Sequence, residues 1–551
     1  MVTKHKFRKE IIDEINIDTR VKEMFPTVYI LIDDKLKLAY VGETTNLQSR
    51  LKSHLKHKDK GKLSEFYLLS SDYFNKSAAL DIESLLIQYI PPAFNLKLLN
   101  GNAGIAGHSY YQQQDYKKMF ANIWEVFRDE KVETKSLLEI ENTDLFKFSP
   151  YKRLNIEQYE AVKLIIKSIL GKHKNVFVDG AAGTGKTIVG ITVMKILTSF
   201  HLYDEIDLEI DDDEFQRLLR DLKSKFPEGL KVGFVVPMAS LRNTLKEVFA
   251  QIHGMKKAMV IGPADVNKKQ YDVLVVDESH RLQRRVGITN YKSYDDLNRK
   301  LGFDNSKDQL DWIQTCSSKS ILFYDSEQSI KPADVRADKF AKLRDNSKSL
   351  YVPLFSQMRC AGGNSFMKFV EDLFNGRNPD KYNNPDYEVL LFDDISKLVN
   401  KLTEKESKHG LCRLMSGYSW KWDSRYDDKP DYDVIIDGVE LTWNRCAHNW
   451  INSTTDLKEM GCIHTVQGYD LNYAGIILGA EIDYDPESNT IVTDKSKYFD
   501  AKGKVSVHSE DELRNYIVKI YKTMMYRGIK GCYVYAYNEN LRNYLKQYIL
   551  Q

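Results

Sequence analysis

Three glycines, a lysine and a threonine stand in the chain at the spacing of a phosphate-binding turn. They are Gly180, Gly183, Gly185, Lys186 and Thr187, and they follow the apolar run Val176–Val178. Glycines let backbone N–H groups approach a phosphate, the lysine neutralises phosphate charge, and the threonine hydroxyl can bind Mg²⁺. A helix predicted over 188–198 would point its positive end at the same anion. The spacing G-x-x-x-x-G-K-T therefore predicts a P-loop for ATP.

Two adjacent acids supply the other chemistry that hydrolysis of a nucleoside triphosphate needs. Asp277 and Glu278 come directly after the apolar stretch Tyr271–Val276, which is predicted to be a strand. The carboxyl ends of parallel strands meet at one edge of a sheet, where ligands bind. At that edge Asp277 would hold Mg²⁺ through water, and Glu278 would orient and activate the attacking water.

A second set of reactive side chains lies near the N-terminus. It consists of Tyr29, Tyr40, Arg50, His54, Glu83 and Asn95. The tyrosines fall on two strands predicted over 27–32 and 38–42, which form a hairpin. The arginine and the histidine share one face of the next helix, because they are four positions apart. After one more strand, the glutamate lies on a helix predicted over 76–89, which Pro91 and Pro92 are expected to end.

This order of elements resembles the GIY-YIG nuclease family, with Thr27 in place of the usual first glycine of the motif. The resemblance implies that the two tyrosines position or deprotonate the attacking water and that Arg50 and His54 assist at the scissile phosphate. It also implies that Glu83 holds one divalent metal, Mg²⁺ or alternatively Mn²⁺, and that Asn95 supports the site. A metal and an arginine suit charge that develops on a phosphate, and a phenol or imidazole can move the proton.

A structural explanation competes with each of these assignments. Tyrosines are good strand formers, and Glu83 could be a solvated residue of an amphipathic helix. Six matches in the right order favour the nuclease family, but a grafted domain can keep its fold and lose its activity. The basic run over 50–62 contains one acid, Asp59. It is either a solvated face or a surface that follows phosphates.

Seven segments around the P-loop follow one another in a fixed order. They are Leu154–Gln158, Lys231–Leu241, Tyr271–Arg281, Ser320–Gln328, Leu354–Cys360, Ile463–Asp470 and Tyr521–Gly531. Together they resemble a superfamily 1 helicase-type ATPase of the Schlafen-type helicase-like group. The resemblance implies that Gln158 reads adenine, that Gln328 reports the γ-phosphate, and that Gln467 and Gly468 couple ATP to nucleic acid. It makes Arg359 and Arg527 the arginine fingers, whose planar charged donors suit a phosphoryl group.

Whole-chain properties set the domain organisation. A chain of 551 residues is long enough for three or more domains, since one core rarely exceeds about 250–300 residues. We predict an α/β protein in which a small α+β GIY-YIG module is followed by two RecA-like parallel α/β lobes. The expected ranges are 1–105 for the nuclease-like domain, 106–150 for a helical connector, 151–348 for the first lobe and 349–551 for the second.

Net charge and cysteine content bear on how the protein could bind nucleic acid and on the compartment in which it works. The net charge of +2 means that affinity for nucleic acid must come from local basic patches. The six cysteines have neither the C-x-x-C nor the histidine spacing of a zinc site, which indicates free thiols in a reducing compartment. The charged first residues and the lack of a long apolar run predict a soluble, cytoplasmic protein. The acidic stretch 203–214 is predicted to be a solvated loop or, alternatively, a nucleic-acid mimic.

These observations favour an ATP-dependent nucleic-acid motor coupled to a metal-dependent endonuclease, serving a prokaryotic host in defence against phage. The expected cofactors are ATP and Mg²⁺, and the expected partner is nucleic acid, with DNA favoured over RNA. No membrane partner is expected, and homo-oligomerisation stays open. Two alternatives also stay open: a nucleic-acid-sensing ATPase whose nuclease-like domain only binds DNA or a partner, and a DNA-repair helicase with a vestigial nuclease domain.

Overall fold

The chain forms two compact units. The computed structural model describes residues 2–14, 25–101, 113–130, 135–201, 212–329, 331–424, 432–445, 450–466, 468–501, 503–505, 507 and 509–551. The first unit comprises Met1–Gly171, Thr187–Val232 and Leu245–Val260, and the second comprises Lys172–Lys186, Gly233–Thr244 and Ile261–Gln551. Among the described helices, none has the length and apolar content to span a membrane.

A five-stranded sheet forms the centre of the N-terminal module. Its strands are β1 (Val2–Lys6), β2 (Thr27–Asp33), β3 (Leu38–Thr44), β4 (Glu65–Leu69) and β5 (Lys97–Leu98), in the order β1-β4-β2-β3-β5. The predicted hairpin is confirmed, since β2 and β3 pair antiparallel and place Tyr29 opposite Gly42. The aromatic and β-branched residues of this pair suit a pleated surface that is buried.

Three helices accompany this sheet: α1 (Lys9–Glu14), α2 (Leu47–Lys56) and α3 (Lys76–Phe94). The prediction that Pro91 and Pro92 end α3 is wrong, because the helix continues through both prolines to Phe94. Each proline removes one backbone donor, but both residues are buried. Asn95 ends the helix instead in the left-handed conformation, with its N–H donating to the Pro91 carbonyl.

The predicted connector packs against α3 as part of the same unit. It consists of the helices α4 (Gln113–Glu130), α5 (Leu137–Glu141) and α6 (Asp144–Lys147). The Tyr89 ring of α3 lies 5.8 Å from Trp124 and 4.8 Å from Phe146, and its hydroxyl donates to Glu141 at 2.5 Å. Further on, Arg153 pairs with Asp81 of α3 at 2.5 Å. Residues 113–153 therefore help to complete the nuclease-like module.

The first unit also contains the helices α7 (Ile156–Leu170), most of α8 (Lys186–Ser199) and α9 (Asp213–Lys225). Residues 203–211 of the acidic stretch lie outside the described residues. Asp212 caps α9 through the N–H of Phe215, and it pairs with Lys163 of α7 at 3.3 Å. Glu214 pairs with the same lysine at 3.1 Å. The described end of the acidic stretch thus holds α9 against α7.

A six-stranded sheet forms the first lobe. Its strands are β6 (Asn175–Gly180), β7 (Val232–Val235), β8 (Val260–Ile261), β9 (Tyr271–Val276), β10 (Ser317–Tyr324) and β11 (Ser349–Leu354), in the order β11-β6-β10-β9-β7-β8. The sheet is parallel in the pairings of β11, β6, β10 and β9. The helices after β7 are α10 (Ala239–Gln251), α11 (Tyr291–Lys300), α12 (Gln309–Cys316) and α13 (Ala337–Arg344). The boundary expected at 349 is corrected here, because β11 pairs with β6 along its whole length. The second lobe begins after Leu354.

A seven-stranded sheet forms the second lobe. Its strands are β12 (Glu388–Phe392), β13 (Cys412–Ser416), β14 (Val434–Ile436), β15 (Val439–Trp443), β16 (Glu459–Gly461), β17 (Leu471–Leu478) and β20 (Gly528–Ala536), and β18 (Ile482–Asp485) and β19 (Thr490–Thr493) form a separate hairpin. Its helices are α14 (Gly363–Phe374), α15 (Ile395–His409), α16 (Trp450–Ser453), α17 (Ile463–Val466), α18 (Glu510–Met525) and α19 (Glu539–Leu545). All its pairs are parallel except β14 with β15. The fold class is therefore confirmed: a small α+β module and two RecA-like α/β lobes.

Short 3₁₀ turns complete the described structure at Lys60–Lys62, Lys257–Met259, Pro263–Lys268, Ser279–Arg281, Ser326–Gln328 and Lys495–Lys497. Five cysteines are buried free thiols: Cys316, Cys360, Cys412, Cys462 and Cys532. Cys446 lies outside the described residues. Among the five described cysteines, the prediction of free thiols is confirmed.

Candidate active sites: the nucleotide cleft and the tyrosine–glutamate site

The P-loop joins β6 to α8 with the backbone that a phosphate requires. Gly183 and Gly185 have φ angles of 83° and 81°, which side-chain-bearing residues rarely adopt. The Lys186 ammonium is buried and donates to the carbonyls of Gly180 and Ala181, and it lies 3.3 Å from Asp325. Thr187 follows in the first turn of α8. Three acceptors thus hold the lysine at the turn, as its predicted role in binding phosphate requires.

The two predicted catalytic acids follow β9. Asp277 is buried, with its N–H bonded to the Val235 carbonyl. Glu278 has a φ of 49°, a strained backbone for a residue other than glycine, and its carboxylate lies 2.9 Å from His280. Burial alone would raise the pKa of Glu278, but contact with His280 and the charge of Lys186 hold it well below its usual value. The carboxylate is therefore ionised, as activation of a water requires.

The second lobe contributes an arginine to the same network. Gln328 donates to Asp325 at 2.6 Å and accepts from Arg527 at 3.0 Å. Arg527 is buried and also donates to the Tyr469 carbonyl at 3.4 Å. Burial, together with the charge of the other predicted finger, Arg359, lowers the pKa of Arg527 to about 10. A hydrogen-bonded chain therefore runs from Lys186 through Asp325 and Gln328 to Arg527, one of the two predicted arginine fingers.

The segment with the other predicted finger lies against the P-loop backbone. Gln357 donates to the Ala182 carbonyl at 2.6 Å, and the N–H of Met358 donates to the Gly183 carbonyl at 2.8 Å. Arg359 forms an ion pair with Asp470. Sequence reasoning did not give Gln357 a role, although it stands within the quoted segment. Its contact also explains Gly183 sterically, because a Cβ there would lie 1.9 Å from the Gln357 side chain.

The predicted coupling segment contacts the helix that follows β7. The Tyr469 hydroxyl hydrogen-bonds the Thr244 hydroxyl of α10 at 2.8 Å. Gly468 has a φ of 92°, and a Cβ on it would meet Leu241 at 3.0 Å. Gln467 lies outside the described residues. Gln158 is buried at the start of α7, where its side chain accepts from the Asn155 N–H at 3.1 Å in a capping box; its expected role toward adenine stays a prediction.

A cavity of about 260 Å³ opens beside the P-loop. It is lined by Ala181, Ala182, Asp325, Gln328, Thr523 and Tyr526, among others. A larger cavity of about 570 Å³ lies at β12 and contains none of the predicted site residues. The smaller cavity is the relevant one, because it adjoins both the P-loop and the end of β10. The glycine cradle and the buried acid Asp277 fit a nucleotide with a divalent metal.

In the N-terminal module, the candidate nuclease site contains the buried rings of Tyr29 and His54. The Tyr29 hydroxyl hydrogen-bonds Nε2 of His54 at 2.7 Å, and both side chains are buried. Gly42 makes this possible, since a Cβ there would lie 2.4 Å from the Tyr29 oxygen. Burial raises the pKa of Tyr29 well above its usual value, and the charge of Arg50 offsets this only in part. Tyr29 is therefore a neutral phenol that His54 orients.

The second tyrosine lies between two basic side chains. The Tyr40 ring packs edge-on against His54 with centroids 4.9 Å apart, and the ammonium of Lys60 sits 3.8 Å above its centroid. A cation over an aromatic face is attracted to the ring. Lys60 is buried at only 2% exposure, so one member of the basic run is not a solvated surface residue. Sequence reasoning missed this contact, which joins residues twenty positions apart.

The charged side chains of the candidate nuclease site include Glu83, Glu43 and Lys76. Burial, followed by the charge of Glu43, raises the pKa of Glu83 to about 8, while Lys76 and Arg50 act to lower it. Glu43 forms an ion pair with Lys76. Its other oxygen, Oε2, is buried and has no hydrogen-bond partner among the described residues. An orphaned carboxylate oxygen on a residue that interacts with Glu83 fits a divalent cation, although no cluster of three or more candidate metal ligands occurs in the described chain.

Two asparagines near this module have different positions. Asn95 is exposed at the end of α3, and nothing in the described contacts connects it to the tyrosines. Asn100 is buried instead, and its amide exchanges two hydrogen bonds with the backbone of Val41, at 3.0 and 2.8 Å. Asn100 therefore fixes the strand that carries Tyr40. No local pattern in the sequence distinguishes this asparagine from others.

Other members of the basic run form ion pairs. Lys52 pairs with Asp13 at 2.6 Å, and Lys62 pairs with Asp59 at 2.8 Å. These pairs are exposed, so each contributes little to stability. The run is thus divided between surface ion pairs and the buried contact of Lys60 with Tyr40.

Two parallel sheets, with P-loop, acids and arginines at one cleft, define a helicase-type ATPase; the tyrosine–histidine–glutamate site defines a nuclease-type module. Residues 173–538 match the family model described as Schlafen group 3, DNA/RNA helicase domain. The match covers more than half of the chain, and the chain belongs to this family. Residues 25–89 match the GIY-YIG catalytic domain. The chain therefore fuses a GIY-YIG endonuclease domain to a helicase-type ATPase; such domains use a nucleotide and a divalent metal and act on nucleic acid.

A curated relative, the uncharacterized protein YPL245W of Saccharomyces cerevisiae, is 26% identical over 433 residues, which cover 72% of this chain and 87% of the relative. Among solved structures, Pif1 helicase from Candida albicans matches 71% of this chain and 96% of its own, with 11% identity and a TM-score of 0.25. Bacteroides Pif1 bound to ssDNA matches 71% and 93%, with 9% identity and a TM-score of 0.25.

Proposed function

We propose that the chain is a metal-dependent endonuclease whose cutting of nucleic acid is governed by the ATPase in the same polypeptide. The observation that carries the proposal is the chain of contacts from Lys186 through Asp325 and Gln328 to Arg527. A bound γ-phosphate would compete with Asp325 for the lysine and with Gln328 for the arginine, because charged phosphate oxygens are the stronger acceptors. Nucleotide binding would therefore loosen these contacts and let the second lobe move.

The nuclease site supplies the groups for phosphodiester hydrolysis. His54 orients Tyr29 through their hydrogen bond, and the pair can position the attacking water and receive its proton. Arg50 would stabilise the charge that develops on the phosphate. Glu83 would hold the metal, which supplies further charge stabilisation when bound.

The proposal also covers the metal ions, the substrate, the cellular compartment and the biological role. Mg²⁺ is the expected ion at both sites, with Mn²⁺ as an alternative at the nuclease site, and DNA is the favoured substrate over RNA. Free thiols at the five described cysteines support a reducing compartment such as the cytoplasm. The pairing of a nuclease with a motor suits destruction of foreign nucleic acid, and we place the protein in defence against phage. The sensing-ATPase and repair-helicase alternatives both predict that the purified protein does not cut.

A cleavage assay tests the proposal directly. Purified full-length protein is incubated with plasmid, linear duplex, single-stranded DNA and RNA in Mg²⁺, with and without ATP. We expect metal-dependent cleavage that changes with ATP in the wild type and loses this ATP response in Lys186→Ala. Lys257→Ala serves as the control, since that lysine is exposed and pairs with Glu247. If Lys186→Ala cuts every substrate at the wild-type rate and with the wild-type ATP response, the proposed control is wrong.

A further inference from the structure

Glu43 occupies a position in the nuclease site that its place in the sequence does not reveal. It lies near the end of β3, immediately after Gly42 of the tyrosine motif. Its side chain is only 10% exposed. One carboxylate oxygen pairs with Lys76, the first residue of α3, while the other oxygen is buried and accepts no hydrogen bond among the described residues. A buried carboxylate oxygen without a partner is costly.

Glu83 is the acid on which Glu43 acts directly. It stands two helical turns after Lys76 on α3, so the two residues share a face. The backbone N–H of Glu43 interacts with the Glu83 carboxylate, and the charge of Glu43 repels it. Two carboxylates in one partly buried site destabilise each other unless a cation lies between them.

We propose that Glu43 is a second carboxylate ligand of the divalent cation that Glu83 binds. This inference rests on the proposed nuclease function, and it assigns the Glu43 oxygen Oε2 to the cation while the other oxygen keeps its pair with Lys76. The ion pair holds the Glu43 carboxylate at the start of α3, the helix that carries Glu83. The two acids supply two ligands, and waters with a phosphate oxygen complete the shell, as is common for Mg²⁺.

The charges of the site agree with this assignment. When both acids are ionised around a cation, the negative side chains of Glu43 and Glu83 balance the positive side chains of Lys76 and Arg50. A dication then adds the two positive charges that match a phosphorane-like transition state, which carries two negative charges. With Glu83 as the single acid, the same site would hold an excess of positive charge.

The test measures Mn²⁺ binding to the full-length protein without nucleotide, by titration with detection of free Mn²⁺ by electron paramagnetic resonance. We expect Glu43→Gln to weaken binding at the nuclease site at least about tenfold, and Glu83→Gln to abolish it there. Glu43→Asp, which keeps the charge but shortens the side chain, should fall between Glu43→Gln and the wild type. Glu65→Gln is the matched control, because that glutamate also pairs with lysines on the same sheet.

The outcomes separate this inference from the nuclease assignment. If Glu43→Gln binds Mn²⁺ like the wild type and merely lowers the melting temperature, Glu43 is only an ion-pair partner and the inference is overturned. That result would leave the nuclease standing if Glu83→Gln still abolished cleavage. If both variants lose Mn²⁺ but the wild type cuts no substrate, the cation site stands and the proposed nuclease function fails. A thermal melt of each variant shows whether it is folded.

Discussion

The nucleotide cleft and the nuclease site both contain acidic and basic side chains, but the pKa of the key carboxylate is lowered in the cleft and raised in the nuclease site. In the cleft, His280 and nearby positive charges keep the pKa of Glu278 low, and each predicted finger already contacts a polar partner. In the nuclease site, burial and Glu43 raise the pKa of Glu83 to about 8. The surroundings therefore favour the charged form of Glu278 and disfavour the charged form of Glu83.

Variants that disable only the nucleotide cleft give the strongest test of the difference between the two sites. Lys186→Ala and Glu278→Gln should each lower nucleic-acid-stimulated ATP hydrolysis more than about a hundredfold, because they remove phosphate neutralisation and water activation. Mn²⁺ binding at the nuclease site should be unchanged in both variants. ATP hydrolysis is measured by phosphate release, with Glu247→Gln as an exposed control. Near wild-type turnover in either variant would contradict the assignment of the cleft.

The converse change disables the nuclease site alone. Glu83→Ala should lower cleavage about a hundredfold or more and leave ATP hydrolysis intact, since it removes the expected metal ligand. Arg50→Ala should reduce the cleavage rate more than DNA binding, because its charge matters most as negative charge builds on the phosphate. Gel-based cleavage and fluorescence anisotropy measure the two effects. Equal losses of binding and cleavage in Arg50→Ala would argue for a binding role.

A smaller effect is expected from the contact between lobes of the ATPase. Gln328→Ala removes the acceptor of Arg527 and the donor to Asp325. We expect stimulation of ATP hydrolysis by nucleic acid to fall about tenfold, since each charged hydrogen bond is worth about 1.5–3 kcal/mol. Basal hydrolysis should fall less. An equal loss of basal and stimulated rates would show that Gln328 serves the chemistry rather than the coupling.

Lys60 gives a test based on pH. A cation above the Tyr40 ring favours its phenolate form, so Lys60→Met should raise the pKa of that phenol. If Tyr40 acts as a base, the rising limb of the pH–rate profile for cleavage moves to higher pH, and the rate at neutral pH falls several-fold. Lys62→Met, which removes an exposed ion pair, should leave the profile unchanged. The same profile in Lys60→Met and wild type would exclude Tyr40 as the group that titrates.

The mildest prediction concerns the ion pair between Arg153 and Asp81. Arg153→Ala should destabilise the N-terminal module by about 1–3 kcal/mol, because Asp81 loses its charged partner in a mostly buried setting. The guanidinium also donates to Ser84 at 2.6 Å, so α3 loses two contacts. Thermal melts of the full chain measure the effect, with Arg128→Ala, which breaks an exposed pair, as the control. Equal melting temperatures in the two variants would mean that Arg153 does not hold α3.

Local sequence signals predicted most elements but not their ends. The hairpin, the P-loop and the strand before Asp277 were predictable because hydrophobic patterns and turn residues lie close together in the chain. The continuation of α3 through Pro91 was not, because burial of the prolines and the left-handed Asn95 depend on the folded module. The first lobe was cut short for a similar reason, since only pairing with β6 places β11 in that sheet.

In the candidate sites, too, local sequence patterns predict some features, and others depend on contacts that form only in the folded protein. Motif order predicts roles for Lys186, Arg527 and Glu83, because their residue types and spacing suit the chemistry. Contacts such as Glu43 with Glu83 and Lys60 with Tyr40 join different elements, and single positions in the sequence do not reveal such pairs. The placement of Asn100 against Val41 is of the same kind.

The aromatic packing of α4 to α6 on α3 limits how this gene could have been assembled. Tyr89 of α3 touches Trp124 and Phe146, and the Tyr116 hydroxyl donates to the Tyr73 carbonyl at 2.7 Å. A recombination event that joined a nuclease gene to a motor gene near codon 105 would have exposed these rings and left Tyr89 without Glu141. Exchange of the nuclease between related genes is expected to carry the coding region through Arg153, so that breakpoints in homologous fusions should cluster just before α7.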